Sequence, residues 1–149
     1  MTPSFKFTNV SAGWVDAEIR TSGESHMVDA SYLTDAIRDF ADALASLATI
    51  QAATCRWEQE PGELEWAFSR SGSRLEVTVS YLLGGDRKPC FECTFPYRSF
   101  CTDVLDSLYD LKNGLGLPGF KKEWGYAFPA EASSKLERAV DSDPSPETA

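Results

Sequence analysis

At 149 residues the chain has the length of one domain, enough to bury roughly 70% of the surface it exposes when unfolded. Its 42% hydrophobic and 25% charged content is ordinary for a globular protein, and no apolar run approaches the roughly 20 residues that span a bilayer. Asp and Glu number 23 against 14 Lys and Arg, a formal net charge of -9, which disfavours nucleic acid and anionic membranes and favours a basic partner.

Residues 5–10 alternate apolar with polar and predict a strand. A turn over 9–13 leads to a returning strand over 14–21, with Val15, Ala17 and Ile19 on one face and Asp16 and Glu18 on the other. Ser22-Gly23-Glu24 turns the chain again, and a short third strand is expected around 25–30. The period then changes. Leu33, Ile37, Phe40, Leu44 and Leu47 step by fours and threes, the stripe of an amphipathic helix. Asp29 or Ser31 is the expected N-cap, and the polar face carries Asp35, Arg38, Asp39, Asp42 and Ser46. The helix is expected to stop near Thr49-Ile50.

Residues 53–96 return to period two. Ala53, Cys55 and Trp57 share one face; Pro61-Gly62 suits the centre of a type II turn; Leu64, Trp66 and Phe68 alternate with Glu63, Glu65 and Ser69. Ser71-Gly72-Ser73 closes a second hairpin, followed by Leu75, Val77, Val79 and Tyr81. A loop over 84–89 precedes the last apolar face of Phe91, Cys93 and Phe95. A second helix begins near 97–99 with Phe100, Val104, Leu108 and Leu111 on its stripe, and Asn113-Gly114 should stop it. Residues 115–129 read as an ordered loop holding Phe120, Trp124, Tyr126 and Phe128, and a short helix follows over 130–140. A single domain of residues 1–140 is therefore expected, with a disordered acidic tail over 141–149.

This order predicts an α+β fold. It comprises one antiparallel sheet of about six or seven strands (two to three N-terminal strands, a long helix, a four-strand meander, then C-terminal helices), packed on one face by helices. The other face would be polar, displaying Arg56, Glu58, Glu63, Glu65, Arg74 and Glu76.

The chemistry is sparse. His26 is the only histidine, which leaves no material for a histidine-rich metal site, and a Cys–His pair would need it to reach a cysteine at an apolar-facing position. Cys90-Phe91-Glu92-Cys93 is formally a CxxC, but no second knuckle accompanies it and it leads into a strand rather than opening a helix. Glu58, Glu60, Glu63 and Glu65 flank one hairpin, where paired carboxylates could serve glycoside hydrolysis or a divalent cation. Arg56, Arg70 and Arg74 among them make cross-strand charge pairs the simpler account. The glycine-rich spots at 84–85 and 115–119 lack the phosphate-cradling patterns. No catalytic, cofactor-binding or metal-ligating residue is assigned, and no cofactor is expected.

The run Ser31-Tyr32-Leu33-Thr34-Asp35-Ala36-Ile37, then Cys55-Arg56-Trp57-Glu58-Gln59-Glu60-Pro61-Gly62-Glu63, and late in the chain the aromatic segment ending Phe128-Pro129, resemble a family of small acidic bacterial proteins known mainly as hypothetical proteins. Its motifs, SYLxDA and WExEPGE, are structural turns and caps. The resemblance implies a bacterial cytoplasmic α+β protein and carries no activity, cofactor or catalytic residue with it. Small acidic proteins of this kind are often immunity proteins that neutralise a toxin, an analogy of class alone.

The expected function is therefore a non-enzymatic protein-binding module, in its most specific form an immunity-type inhibitor of a basic partner. Its candidate contacts are Asp35, Asp39 and Asp42 on the first helix or Glu58, Glu63 and Glu65 on the sheet. The alternative is a small-ligand-binding protein or enzyme with a pocket between the sheet and the aromatic segment 115–129. A third reading, an oligomeric structural protein joined through a sheet edge, leaves the oligomeric state open. The start Met1-Thr2-Pro3-Ser4-Phe5 lacks the layout of a signal peptide, and a cytoplasmic location is expected.

Overall fold

Two meanders, each closed by its own tight turns, form two separate sheets in the computed structural model, which describes residues 3–144. Strands β1 (Ser4–Ser11), β2 (Trp14–Thr21) and β3 (Glu24–Ser31) make the first, antiparallel and in chain order. Helix α1 (Ala36–Ser46) leads to β4 (Ala52–Glu58), β5 (Glu63–Ser71), β6 (Arg74–Leu83) and β7 (Asp86–Pro96), the second sheet, also in chain order. Helices α2 (Tyr97–Trp124) and α3 (Ala130–Asp141) complete the chain.

The α+β class holds; the single sheet does not. β3 and β4 touch without forming a ladder. The chain leaves β3 through α1 and returns in a different direction, so β3 crosses the second sheet instead of extending it. At one end His26 stacks on Phe91 of β7, ring centroids 4.2 Å apart and 9° from parallel. Toward the other end Asp29 is held by Gln59, one residue past β4. As β4 and β7 are opposite edges of the second sheet, β3 spans its width.

Alternation then places the apolar faces of the two sheets toward each other. Phe40 of α1 lies at the centre, its ring 4.8–6.3 Å from those of Phe5, Phe7, Trp57, Trp66, Phe68 and Phe100. Trp57 and Trp66 are fully buried with no hydrogen-bond partner for their indole N–H groups among the described residues. An unpaired buried donor costs about 1–3 kcal/mol. Burying an aromatic ring of about 150–250 Å² contributes about 4–6 kcal/mol, so packing wins at both positions. The outer edge of β1 is covered by α2: the Phe5 N–H donates to Asp103 Oδ2 at 3.1 Å and the Phe7 N–H to Ser107 Oγ at 3.0 Å.

Several boundaries differ from the sequence expectation. α1 starts at Ala36 with Asp35 as its N-cap, not Asp29 or Ser31, and Leu33 stays outside the helix, 54% exposed. The rest of the stripe, Ile37, Phe40, Leu44 and Leu47, is buried as expected. α2 passes through Asn113-Gly114 and breaks instead at Gly116, whose φ of 75° and ψ of 162° no helix tolerates. It restarts at once, with Pro118 in the new first turn, where the missing N–H has no helical partner to lose. Much of 115–129 is thus helix rather than loop, and Phe120 and Trp124, four apart, fall on its buried face. Gly84 and Gly85, at φ 58° and 88°, form a two-residue hairpin turn, so β7 begins at Asp86 and no 84–89 loop exists.

The C-terminal expectation also changes. Residues 145–149 lie outside the described residues, but α3 runs to Asp141 and Asp143 is buried. Arg70 explains this: its Nη2 donates to Asp143 Oδ1 at 2.8 Å, its Nη1 to the Leu47 carbonyl at 3.1 Å and its Nε to the Gly72 carbonyl at 2.8 Å. Its guanidinium also lies 3.9 Å from the Tyr97 ring centroid. A guanidinium held so far from water needs an anion, and the chain end supplies it. Asp143→Ala should lower the unfolding free energy by about 3 kcal/mol, the range for breaking a buried ion pair from one side. Urea denaturation measures this, and an unchanged midpoint would show that the chain end adds nothing to the fold.

Candidate functional site

Where the rings around Phe40 give way to smaller side chains, the space between the sheets opens into a groove of about 700 Å³. Its floor is apolar. Leu64 of β5 and Val79 of β6 lie there beside Phe91 of β7, which is the direct cross-strand partner of Val79. One wall is β3 from Ser25 to Asp29, and Lys88 closes the far end. His26 faces the second sheet, its Nε2 3.1 Å from Glu24 Oε2 and its ring covered by Phe91. Cys90 sits on a β-bulge, the extra residue between the Val79–Phe91 and Ser80–Pro89 pairs, and is exposed. Tyr81 is held at the rim by donating its hydroxyl to the Pro61 carbonyl at 3.0 Å.

Two carboxylates border the groove. Asp16 and Asp29 are direct cross-strand partners on β2 and β3, and neither forms an ion pair with a basic side chain among the described residues. Burial lifts the Asp29 carboxyl above its usual range, and the neighbouring Asp16 charge adds to the rise. The Gln59 amide opposes both by donating to Asp29 Oδ1 at 2.7 Å. Like charges set opposite each other on adjacent strands are destabilising unless something neutralises them.

The two acidic sets singled out from the sequence, one at α1 and one on the second sheet, are not brought together with each other. α1 packs on the inner face of the second sheet through Phe40, whereas Glu58, Glu63 and Glu65 alternate with the buried Trp57, Leu64 and Trp66 and project from the outer face. Asp35 is 8% exposed and serves the fold: its Oδ1 accepts from the Arg38 N–H at 3.3 Å and from Trp124 Nε1 at 3.0 Å. Asp39 pairs with Arg38 at 3.1 Å, and Asp42 is half-buried farther along the helix. On the outer face Arg56 pairs with Glu63 at 2.6 Å and Arg87 with Glu65 at 2.6 Å. The hydrogen bond from Arg87 holds the Glu65 carboxyl below its usual range. Glu58 faces Glu63 across the hairpin, and its carboxyl is raised by burial first and by Glu63 second.

Three of the four thiols are muted, while Cys90 is exposed. Burial pushes the Cys93 and Cys101 thiols up to about 12 and the Cys55 thiol higher still, far from the thiolate that nucleophilic chemistry needs. Among the described residues no three His, Cys, Asp or Glu side chains cluster to hold a metal ion. Phe120 and Trp124 are fully buried and fill the interior, and a second cleft, of about 610 Å³, lies where residues 126–129 face Asp39 and Asp42 of α1 rather than a sheet. The sequence reading passed over Met27, Gln59, Tyr81 and Lys88. The available signal was β3 itself, whose Ser-His-Met-Val-Asp run is too polar for a strand covered on both edges.

Among the described residues, no helix is long and apolar enough to cross a membrane. Comparison with protein-family models, with curated proteins and with solved structures gives no match, so function is argued from this chain's own residues.

The raised carboxyls set a pH dependence. Asp29, Asp35, Asp103 and Glu58 all hold protons more tightly folded than unfolded, with burial the first cause in each. Between their ordinary values and their folded ones, the folded chain binds more protons than the unfolded chain, so stability rises as pH falls into that window. Glu18 and Glu65, which are lowered, act oppositely, but only as pH falls through and below their ordinary value of 4.5. The melting temperature should therefore be higher at about pH 5 than at about pH 7. Asp35→Asn retains an acceptor for both hydrogen bonds without the charge, and should raise the neutral-pH melting temperature and flatten that rise. A melting temperature that falls steadily from neutral pH would contradict this assignment.

Proposed function

We propose that this protein is a non-enzymatic binding module that holds a basic partner protein, in the manner of an immunity protein on a toxin. The observation that carries the reading is the groove between the sheets, bordered by Asp16 and Asp29 without a basic counterpart among the described residues, in a chain of net charge -9. Elsewhere on the sheets the carboxylates of Glu18, Glu63 and Glu65 are answered by arginines of the same chain, which leaves them less to offer a partner. An apolar floor with a polar rim is the usual anatomy of a recognition site. Asp39 and Asp42 on α1 are a second acidic surface, on a different element from the groove.

The same groove favours a second reading, a small planar ligand. His26 and Phe91 already stack face to face there, with the Tyr81 hydroxyl and the Gln59 amide at the rim. A ligand of that kind would raise the melting temperature in proportion to the logarithm of its concentration.

The deciding experiment is a pull-down with the tagged full chain from the lysate of the native cell, washed at low and at high salt and read by mass spectrometry. A basic protein retained at low salt and depleted at high salt is the expected result, because exposed charge pairs are screened beyond about 10 Å at 0.1 M salt. Once that partner is in hand, Asp16→Lys combined with Asp29→Asn should slow association by about tenfold or more at low salt while leaving the fold intact. An unchanged association rate would remove the groove from the interface, and the same charge reversal at Asp39 and Asp42 would then be the next comparison.

A further inference from the structure

The unpaired side of β3 faces the groove, and register fixes which backbone groups it presents. The Tyr32 N–H donates to the Gly13 carbonyl at 2.9 Å, one step beyond the β2–β3 pairing that starts at Trp14–Ser31. In an antiparallel ladder hydrogen-bonded and non-bonded pairs alternate. Val15–Ala30, Ala17–Val28 and Ile19–His26 are therefore the bonded pairs, and Ser25, Met27 and Asp29 turn their N–H and C=O groups away from β2. Asp29 shows the same parity independently, since its carbonyl accepts from Gln59 Nε2 at 3.0 Å on the side facing the second sheet.

Natural sheets blunt such edges. Here β1 is covered by α2, β7 carries Arg87, Lys88, Pro89 and a bulge, and β4 carries Arg56 and Glu58. β3 has no lysine, no proline and no bulge, and Met27 at its middle is 64% exposed.

Resting on the binding-module reading, we infer that β3 receives an extended segment of the partner as an added strand of the first sheet. That segment alternates apolar side chains, laid on the floor of Leu64, Val79 and Phe91, with basic side chains turned toward Asp29 and, one strand beyond, Asp16. Main-chain hydrogen bonds to Ser25 and Met27 hold it, and the alternating side chains give it specificity. A second copy of this chain is the wrong occupant, because each copy carries a net charge of -9 and β3 brings no lysine or arginine to answer Asp29 and Asp16.

The probe is a fluorescent, capped octapeptide alternating Lys and Val, titrated into the full chain and followed by anisotropy and by amide chemical shifts. Its control is the same peptide N-methylated at alternate residues, equal in charge but unable to complete a ladder. The unmethylated peptide should shift the amides of Ser25, Met27 and Asp29, and methylation should weaken binding by about tenfold or more. Met27→Pro should weaken it similarly, since that N–H lies outside the β2–β3 ladder. Should this variant fail to fold, the methylated peptide decides alone. Equal affinity of the two peptides, or shifts confined to α1 or to the outer face of the second sheet, would overturn the added strand. Concentration-dependent dimerisation lost in Met27→Pro would overturn it in favour of a second copy. If neither peptide binds while the pull-down retains a basic protein, the added strand falls and the binding module stands; if both fail, both fall.

Discussion

Everything in this fold depends on how the two sheets are held across one another, and that is fixed at the Phe40 ring. It touches Phe5 and Phe7 of the first sheet, Trp57, Trp66 and Phe68 of the second, and Phe100 of α2. One helical side chain thus sets both the separation and the crossing of layers that share no backbone hydrogen bond. Interiors are packed to crystal-like density, so a ring in that position admits few alternative geometries. Removing such a ring typically costs about 3–5 kcal/mol, a large share of the stability of a chain this size. The groove is the other consequence. Large rings fill the gap near Phe40, and farther along β3 the facing residues shrink to Val28, Leu64 and Val79.

The charge of the chain has been divided between folding and surface in a way its net value conceals. Asp35 caps α1 and anchors Trp124; Asp103 satisfies an edge amide of β1; Asp143 answers Arg70. These three are internal ligands of the fold. Glu63 and Glu65 are tied to Arg56 and Arg87 in an exposed network worth little to stability but strongly screening to any approaching charge. What remains to act on a partner is the set of acidic residues without such roles. Asp16 and Asp29 stand out in it because they face each other across a ladder.

Much of the fold was legible because alternation and helical spacing report burial directly. Six of the seven strands, the α1 stripe beyond Leu33 and the start of α2 follow from period alone, whereas β3 was expected only from the turn before it. The misreadings have identifiable causes. Asn113-Gly114 is a common helix stop, but a residue in a plainly forbidden helical conformation, Gly116, overrides it two positions later. Leu33 fits the stripe by spacing, yet Asp35 caps the helix after it, and a cap is a contact with Arg38 and Trp124 that no local pattern encodes. The division into two sheets was invisible for a similar reason. Periodicity says which face of a strand is buried and is silent on which layer buries it. The groove was still less accessible, since it exists only because His26 meets Phe91, 65 residues away in the chain.

The same geometry supports the binding function proposed for the groove. A general base must reach a proton of its substrate, and His26 has one ring face against Phe91 and its Nε2 against Glu24. Cys93, two residues from Phe91 on β7, is pushed up to about 12 by burial. Both walls, by contrast, belong to hydrogen-bonded sheets locked at Phe40, so the site stands formed before anything enters it. A preformed site loses little side-chain and loop freedom on association, and in the proposed function that saving would let a modest apolar floor and two carboxylates discriminate among partners. Rigid walls, an unblunted strand edge and an unanswered pair of acids are separately common. Their coincidence along one five-residue stretch of β3, residues 25–29, is what the proposed binding function rests on.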